Sequence, residues 1–465
     1  MSAISPPGRR HRPVGGAACR TLGALVVGLA VACAAARAHA NGAFPDALQI
    51  LLPTQKPQQI ILGTNFGFVI SDDGGKTWEW SCEQMASTNG SLYQLGPPPL
   101  ERIYAVSQFG LIYSDNASCT WTSGAGALTT VLANDVFPEQ AGTRVWAVAR
   151  PIGMSAHPGV YLSTDNGQTF GTTPVYEDPF AGELTGVEVA ASDPQTVYVA
   201  LYEVQTCAAG DGGDPLDAGT DDAGDASALC TLPRLVHSSD GGGHWDAPID
   251  LVPALGQGIA RIVAVDPKNP QRIFLRFTSF TSPVDVLAVS DDAGITFRTP
   301  VSVTGSLTAF LRRADGTILV SGLTDGGPVG FRSSDSGATF TPWTGIPNLR
   351  ALAERDGRIY GAADWVKDHY ALGVSTDGGA TFTPVVTFSQ VSSVRACVKT
   401  LCQDPCDYQA GVGLWPPETC NPSTAKKTGC GCAAGAGDPG QVAWPWPVLA
   451  IVLAAAVLRR RRRGR

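Results

Sequence analysis

The 465-residue sequence predicts an all-β fold: a seven-bladed β-propeller of four-stranded antiparallel blades, flanked by a signal peptide and a C-terminal transmembrane helix. Three observations predict it. The chain carries 54 Gly and 34 Pro against only 16% charged residues, a composition suited to short strands joined by tight turns. An octet, Ser-x-Asp-x-Gly-x-Thr-(Trp or Phe), recurs seven times at the period of a propeller blade. Before each copy stand short alternating runs that complete a four-stranded unit.

The octet is regular at Ser71–Trp78, Ser163–Phe170, Ser290–Phe297, Ser333–Phe340 and Ser375–Phe382. Two copies are degenerate: Ser114–Trp121 has Asn116 and Ser118 for Asp and Gly, and Ser238–Trp245 has His244 for Thr. The key positions are Asp73, Asn116, Asp165, Asp240, Asp292, Asp335 and Asp377, with spacings of 43, 49, 75, 52, 43 and 42. An insert from Cys207 to Cys230 accounts for most of the long interval. Physically the octet is a hairpin lock, in which the carboxylate accepts N–H bonds across the turn and Gly supplies φ > 0.

Each unit reads in order as strands a, b, c and d. Strand a is typified by Gly186–Ala190 and Ile262–Val265. Strand b is Arg102-Ile-Tyr104, Arg144-Val-Trp146, Thr196-Val-Tyr198, Arg272-Ile-Phe274 and Arg358-Ile-Tyr360. Strand c is Phe68–Ile70, Leu111–Tyr113 and Val160–Leu162, and the aromatic after each octet is expected to open strand d. Seven such units fill residues 46 to about 390, and radial closure leaves only short sheet edges.

The octet resembles the Asp-box, or BNR repeat, of sialidases, sortilin-type receptors, xyloglucanase-type glycosidases and photosystem II assembly-factor-like propellers. The resemblance implies a rigid propeller whose box carboxylates are structural.

The ends carry targeting signals. Residues 1–40 read as a signal peptide: basic through Arg20, apolar from Leu22 to Ala36, then Ala38-His39-Ala40 before Asn41. A loose lipoprotein box ending at Cys33 is the alternative. The propeller is expected over 41–395, a Cys-rich segment over 396–425, and a Gly-rich linker over 426–441 that holds Cys430 and Cys432. Val442–Leu458 gives a short spanning helix, with an Arg-rich tail over 459–465. Together the Cys pair, spacer, helix and Arg block resemble the MYXO-CTERM sorting tail of myxobacterial surface proteins. That resemblance implies a sorting protease, processing near Cys430 or Cys432, and retention at the cell surface or outer membrane. A permanent anchor through the same helix is the other reading.

Eleven of the 33 basic residues lie in these two ends, so residues 41–458 hold 22 against 41 acids, a net charge of −19. So acidic a body excludes nucleic acid as the partner.

Export frames the cysteines as disulfides. Cys207 and Cys230 bracket the insert and are expected to pair. Cys82 and Cys119 lie in the first two blades, while Cys397, Cys402, Cys406 and Cys420 crowd after the last, with connectivity open. Zinc is the competing reading of that cluster, although its spacings lack paired CxxC units. The insert's aspartates, Asp211, Asp214, Asp217, Asp221, Asp222 and Asp225, suit either calcium or a solvated loop.

Antiparallel order puts the a–b turns and boxes on one face and the b–c and d–a loops on the other. Four b–c loops are long: Arg150–Gly159, Tyr202–Arg234, Thr278–Asp285 and Ala363–Tyr370. Elaboration on one face of a rigid scaffold is where binding resides. The expected ligand contacts are Arg150, His157, Tyr202, Phe280, Trp365, Lys367 and Tyr370. Acids on this face, Glu177, Asp178, Glu183, Glu203, Asp285 and Asp364, sit in no paired catalytic setting, and no GxSxG or HExxH occurs. The expectation is therefore a non-catalytic surface propeller binding a protein or glycan, without cofactor or metal. A secreted glycoside hydrolase or sialidase-like enzyme is the alternative.

Overall fold

The computed structural model describes residues 46–83, 92–107, 110–129, 131–151, 158–180, 182–207 and 228–421. The expected signal peptide, insert tip, sorting cysteines and Val442–Leu458 helix lie outside them. Among the described residues no helix is long and apolar enough to cross a membrane.

Seven four-stranded antiparallel sheets follow one another in strict a-b-c-d order. Blade 1 comprises Ala47–Leu51, Ile60–Thr64, Gly67–Ser71 and Glu79–Cys82, and blade 7 comprises Leu349–Arg355, Arg358–Ala363, Leu372–Ser375 and Thr383–Val386. Strands b and c alternate so that each face meets a neighbouring blade. Phe274, Leu287 and Val289 of blade 5 pack with Leu307, Ile318 and Val320 of blade 6, while Leu275, Ala288 and Ala260 pack with Tyr198 and Leu235 of blade 4. The core is thus a series of slabs between blades. Strand a carries a register shift in every blade except the second, and such bulges bend the strand locally.

Each octet sits in its c–d hairpin. In the third, Asp165 Oδ1 accepts from Ser163 Oγ at 2.7 Å and Thr169 N at 2.9 Å, and Oδ2 accepts from Thr169 Oγ1 at 2.6 Å. The degenerate copies keep the lock with other chemistry. Asn116 donates through Nδ2 to Thr120 Oγ1 at 2.9 Å, and His244 Nδ1 meets Asp240 Oδ2 at 2.6 Å. Ser118 takes the glycine position at φ 71°.

The aromatic opens strand d directly in five blades, but in blades 3 and 4 the strand is delayed to Tyr176 and Ile249. Pro174 and Pro248 intervene there, and proline lacks the N–H a ladder requires. Phe170 instead joins a short parallel pair with Ala125–Gly126, tying blade 2 to blade 3.

Blade 7 meets blade 1 through the Arg350–Asp46 ion pair at 3.0 Å and a bond from Arg355 to the Gln59 carbonyl at 2.7 Å. The Cys-rich segment reinforces this closure. Ser393–Val394 adds a fifth strand to blade 1, parallel to Glu79–Trp80. The helix Lys399–Gly411 follows, with Trp415 packed 5.0 Å from Trp80. Disulfides Cys82–Cys402 and Cys119–Cys397 bind the segment to blades 1 and 2, and Cys406–Cys420 closes it internally. Zinc therefore has no thiolates to bind there. The segment lies on the ring as a clasp.

Cys207 and Cys230 pair as expected. Both described ends of the stretch expected as a loop from Tyr202 to Arg234 are strand: Val197–Cys207 and Ala228–Ser238 pair along their whole length as a hairpin arm. The β-branched Val204, Thr206 and Thr231 suit that extension.

Candidate ligand-binding site

The boxes and a–b turns share one end of the blades, as Gly74 N bonding to the Gln58 carbonyl and Gly241 N to the Gln195 carbonyl illustrate. Their carboxylates are half-exposed to exposed and spent on turn bonds. Thr77, through its hydroxyl and then its N–H, holds Asp73 well below the usual carboxylate range; the His244 N–H and ring hold Asp240 down at about 2. The strand-b arginines at this end are also structural: Arg102 pairs with Asp115 at 2.6 Å and Arg272 with Asp291.

At the opposite end, blades 3 to 5 bring a polar group together at the channel mouth. Arg150, exposed near the end of Val145–Pro151, lies within electrostatic reach of Tyr202. Tyr202 donates to Glu183 Oε2 at 2.7 Å, and Asn134 Nδ2 donates to Glu183 Oε1 at 2.8 Å. Burial first, and the Glu183 bond next, push the Tyr202 phenol up to about 12. Arg261 enters from Gly258–Asp266, the inner strand of blade 5, directly opposite Arg276 in the ladder. Blade 4 is seated against this strand by Thr185 Oγ1 donating to the Ala260 carbonyl at 2.6 Å. Burial first, then Arg276, hold the Arg261 guanidinium below its ordinary pKa, offset by Tyr202, Asp285 and Glu183. Arg261 retains substantial accessible surface, yet the surrounding protein removes much of its bulk water.

Arg276 is held by Asp285, with Nε to Oδ2 at 2.9 Å and a second nitrogen at 2.7 Å. The same Asp285 oxygen accepts from Leu307 N at 2.9 Å. Beside Arg276 a cleft of about 100 Å³ opens between blades 5 and 6, lined by Val263, Leu287, Leu307, Thr308, Ala309, Phe310 and Val320. Deeper in the channel wall, burial raises Asp135 to about 7 and Glu188 well above the usual carboxylate value, Glu188 further by Asp135.

The expected contacts divide. Arg150 and Tyr202 belong to this group. Phe280, 44% exposed, tips the b–c turn of blade 5. Trp365, Lys367 and Tyr370 lie on blade 7, beyond blade 6, and two of them are packed: Tyr370 is only 8% exposed, and Trp365 meets Phe388 at 5.8 Å. Their positions suit folding of the Asp364-capped helix Trp365–Asp368, leaving Lys367 exposed. His157 lies outside the described residues. Arg261 and Arg276 were not singled out because neither falls within a stretch expected from the sequence as a long b–c loop. An arginine within an innermost strand, beside Ile262-Val-Ala-Val265, was the available signal.

All but Glu177 of the acids expected on this face have hydrogen-bond or ion-pair partners. Glu183 serves Tyr202 and Asn134. Glu203 and Asp250 hold Arg234, Asp364 caps its helix and pairs with Arg350, and Asp178 accepts from Phe180 N. Among the described residues no cluster of three or more His, Cys, Asp or Glu could hold a metal ion.

The BNR/Asp-box repeat family model matches residues 69–79, the first box and its flanks. A search of curated proteins finds no match. Similar solved structures include YCF48 from Cyanidioschyzon merolae, 11% identical, covering 68% of this chain and 92% of that one at a TM-score of 0.39. An ancestral GH74 enzyme is 11% identical over 74% of this chain and 54% of its own, at 0.37. A Hadza microbial sialidase is 15% identical over 52% and 55%, at 0.31.

Proposed function

We propose that this chain is an exported, non-catalytic propeller, held at the cell surface through its C-terminal sorting tail, that binds a protein or glycan through its loop-rich face. One contrast carries the reading. The acids of that face are committed to ion pairs, caps and N–H bonds, Glu177 excepted, whereas Arg150 and Arg261 make no ion pair among the described residues. Glycoside hydrolysis requires two opposed, available carboxylates; recognition requires only uncommitted donors on a rigid support. Four disulfides support an oxidising destination. The test is a glycan and surface-protein binding screen with the purified protein, repeated with Arg150→Ala and Tyr202→Phe. Loss of a hit in both variants supports the reading, and hits untouched by either refute it.

The Glu183–Tyr202 bond, with two arginines in electrostatic reach, favours the carbohydrate-active alternative. Turnover of a glycoside or sialoside that disappears in Glu183→Gln would establish that alternative instead.

A further inference from the structure

We propose that the channel mouth at blade 5 is a binding site for an organic carboxylate that carries a compact apolar group. Arg261 and Arg276 receive the carboxylate, and the cleft between blades 5 and 6 receives the apolar part. The proposal rests on the loop-rich face being the binding face, and it names the chemistry that face takes.

Two observations converge. The first is electrostatic: Arg261 and Arg276 stand opposite one another in the ladder, and only Arg276 has an ion-pair partner among the described residues, Asp285. By formal charge Arg150 offsets Glu183, since both lie beside Tyr202. Two arginines against Asp285 leave one positive charge, which a monoanion balances and a phosphate dianion exceeds. A bound carboxylate also screens the guanidinium repulsion. The second is steric: the cleft beside Arg276 is walled by Val263, Leu287, Leu307, Ala309, Phe310 and Val320, with Thr308 the one uncharged polar side chain, its hydroxyl 3.0 Å from that of Ser321. At about 100 Å³ it is smaller than the ~150 Å³ apolar cavity that takes benzene. A branched four-carbon group fits; a sugar ring with its hydroxyls finds few partners. Asp285 couples the halves, since one oxygen holds Arg276 and accepts the N–H of Leu307 in the cleft wall.

The probe is 4-methylpentanoate, titrated calorimetrically into the intact protein at low and high salt, with 4-methylpentan-1-ol and acetate as half-probes. The acid should bind at least tenfold tighter than either half-probe and weaken with salt. Arg261→Ala should cost at least tenfold. Ala309→Phe, which fills the cleft, should abolish binding of the acid. Acetyl-Gly-Leu against its C-terminal amide shows whether a peptide terminus can supply the group or only a small free acid. Equal binding of acid and alcohol, no binding of the acid, or wild-type affinity in Arg261→Ala would overturn the site. If the acid fails while screen hits still depend on Arg150 and Tyr202, this site fails alone. If the acid binds as described and the screen hits ignore those two residues, the broader reading fails alone.

Discussion

Removing the two disulfides that bind the C-terminal segment to the ring should destabilise the protein more than additively. Cys82 and Cys402 are 320 residues apart, and Cys119 and Cys397 are 278 apart. In the chain-entropy treatment either bridge alone constrains the unfolded chain by roughly 5–6 kcal/mol. With one in place the second closes only a ring of about 42 residues, the stretches Cys82–Cys119 and Cys397–Cys402, worth roughly 4 kcal/mol. Each single removal therefore costs roughly 4 kcal/mol and the double removal nearly 10, about 2 more than the summed singles. Urea unfolding of Cys119→Ser with Cys397→Ser, Cys82→Ala with Cys402→Ala, and the quadruple variant measures this. A quadruple variant no less stable than either pair would refute the entropic coupling. Partial reduction should open Cys119–Cys397 first, since Cys397 is exposed while Cys82 and Cys402 are fully buried.

Ser118 occupies a left-handed turn position at φ 71° with its hydroxyl buried and unpartnered, so Ser118→Gly should raise stability by about 1 kcal/mol in urea titration. Burial lifts Asp135 to about 7, so the folded chain holds an extra proton between about pH 4 and 7. That contribution is complete below pH 4 and fades as pH rises through 7, by at most about 4 kcal/mol, and Asp135→Asn should flatten the slope between pH 5 and 8. The box carboxylates act oppositely: depressed in the fold, they stabilise above about pH 4 and lose that contribution as pH falls toward Asp240's value of about 2. Circular dichroism across pH 2–5 should show Asp377→Ala less acid-sensitive than the parent. Replacing Cys430 and Cys432 together by Ala should leave a longer product in the membrane fraction, read by immunoblot; unchanged size would point to a plain anchor.

The blades were legible because each is specified locally: an octet that can only be a locked turn, preceded by alternating runs whose period forbids a helix. Even the degenerate copies kept an acceptor at Asn116 and Asp240. The closure was not legible, because the pairing of Cys82 with Cys402 depends on where a ring returns, which no local pattern encodes. Arg150 and Tyr202 stood out in the sequence because they open expected long loops, and both lie within strands, Val145–Pro151 and Val197–Cys207. Arg261 did not stand out, because its place opposite Arg276 in the ladder and near Tyr202 and Glu183 of blade 4 depends on how the strands and blades come together. Trp365 and Tyr370 stood out as large rings in an expected long loop, and the sequence could not show that Tyr370 is buried or that Trp365 packs against Phe388.

The cysteines also determine how a pull on the chain end would travel. Tension applied beyond Asn421 enters at Cys420, crosses to Cys406, runs back one helical turn to Cys402, and crosses to Cys82 in blade 1. Apart from that turn of backbone every link is a sulfur bridge, so the load reaches the ring without unzipping a strand. The hydrogen bonds of blade 7, the last blade in sequence, are bypassed. A pull on the chain beyond Asn421 would therefore load blade 1 directly and leave the pairing of the other blades undisturbed.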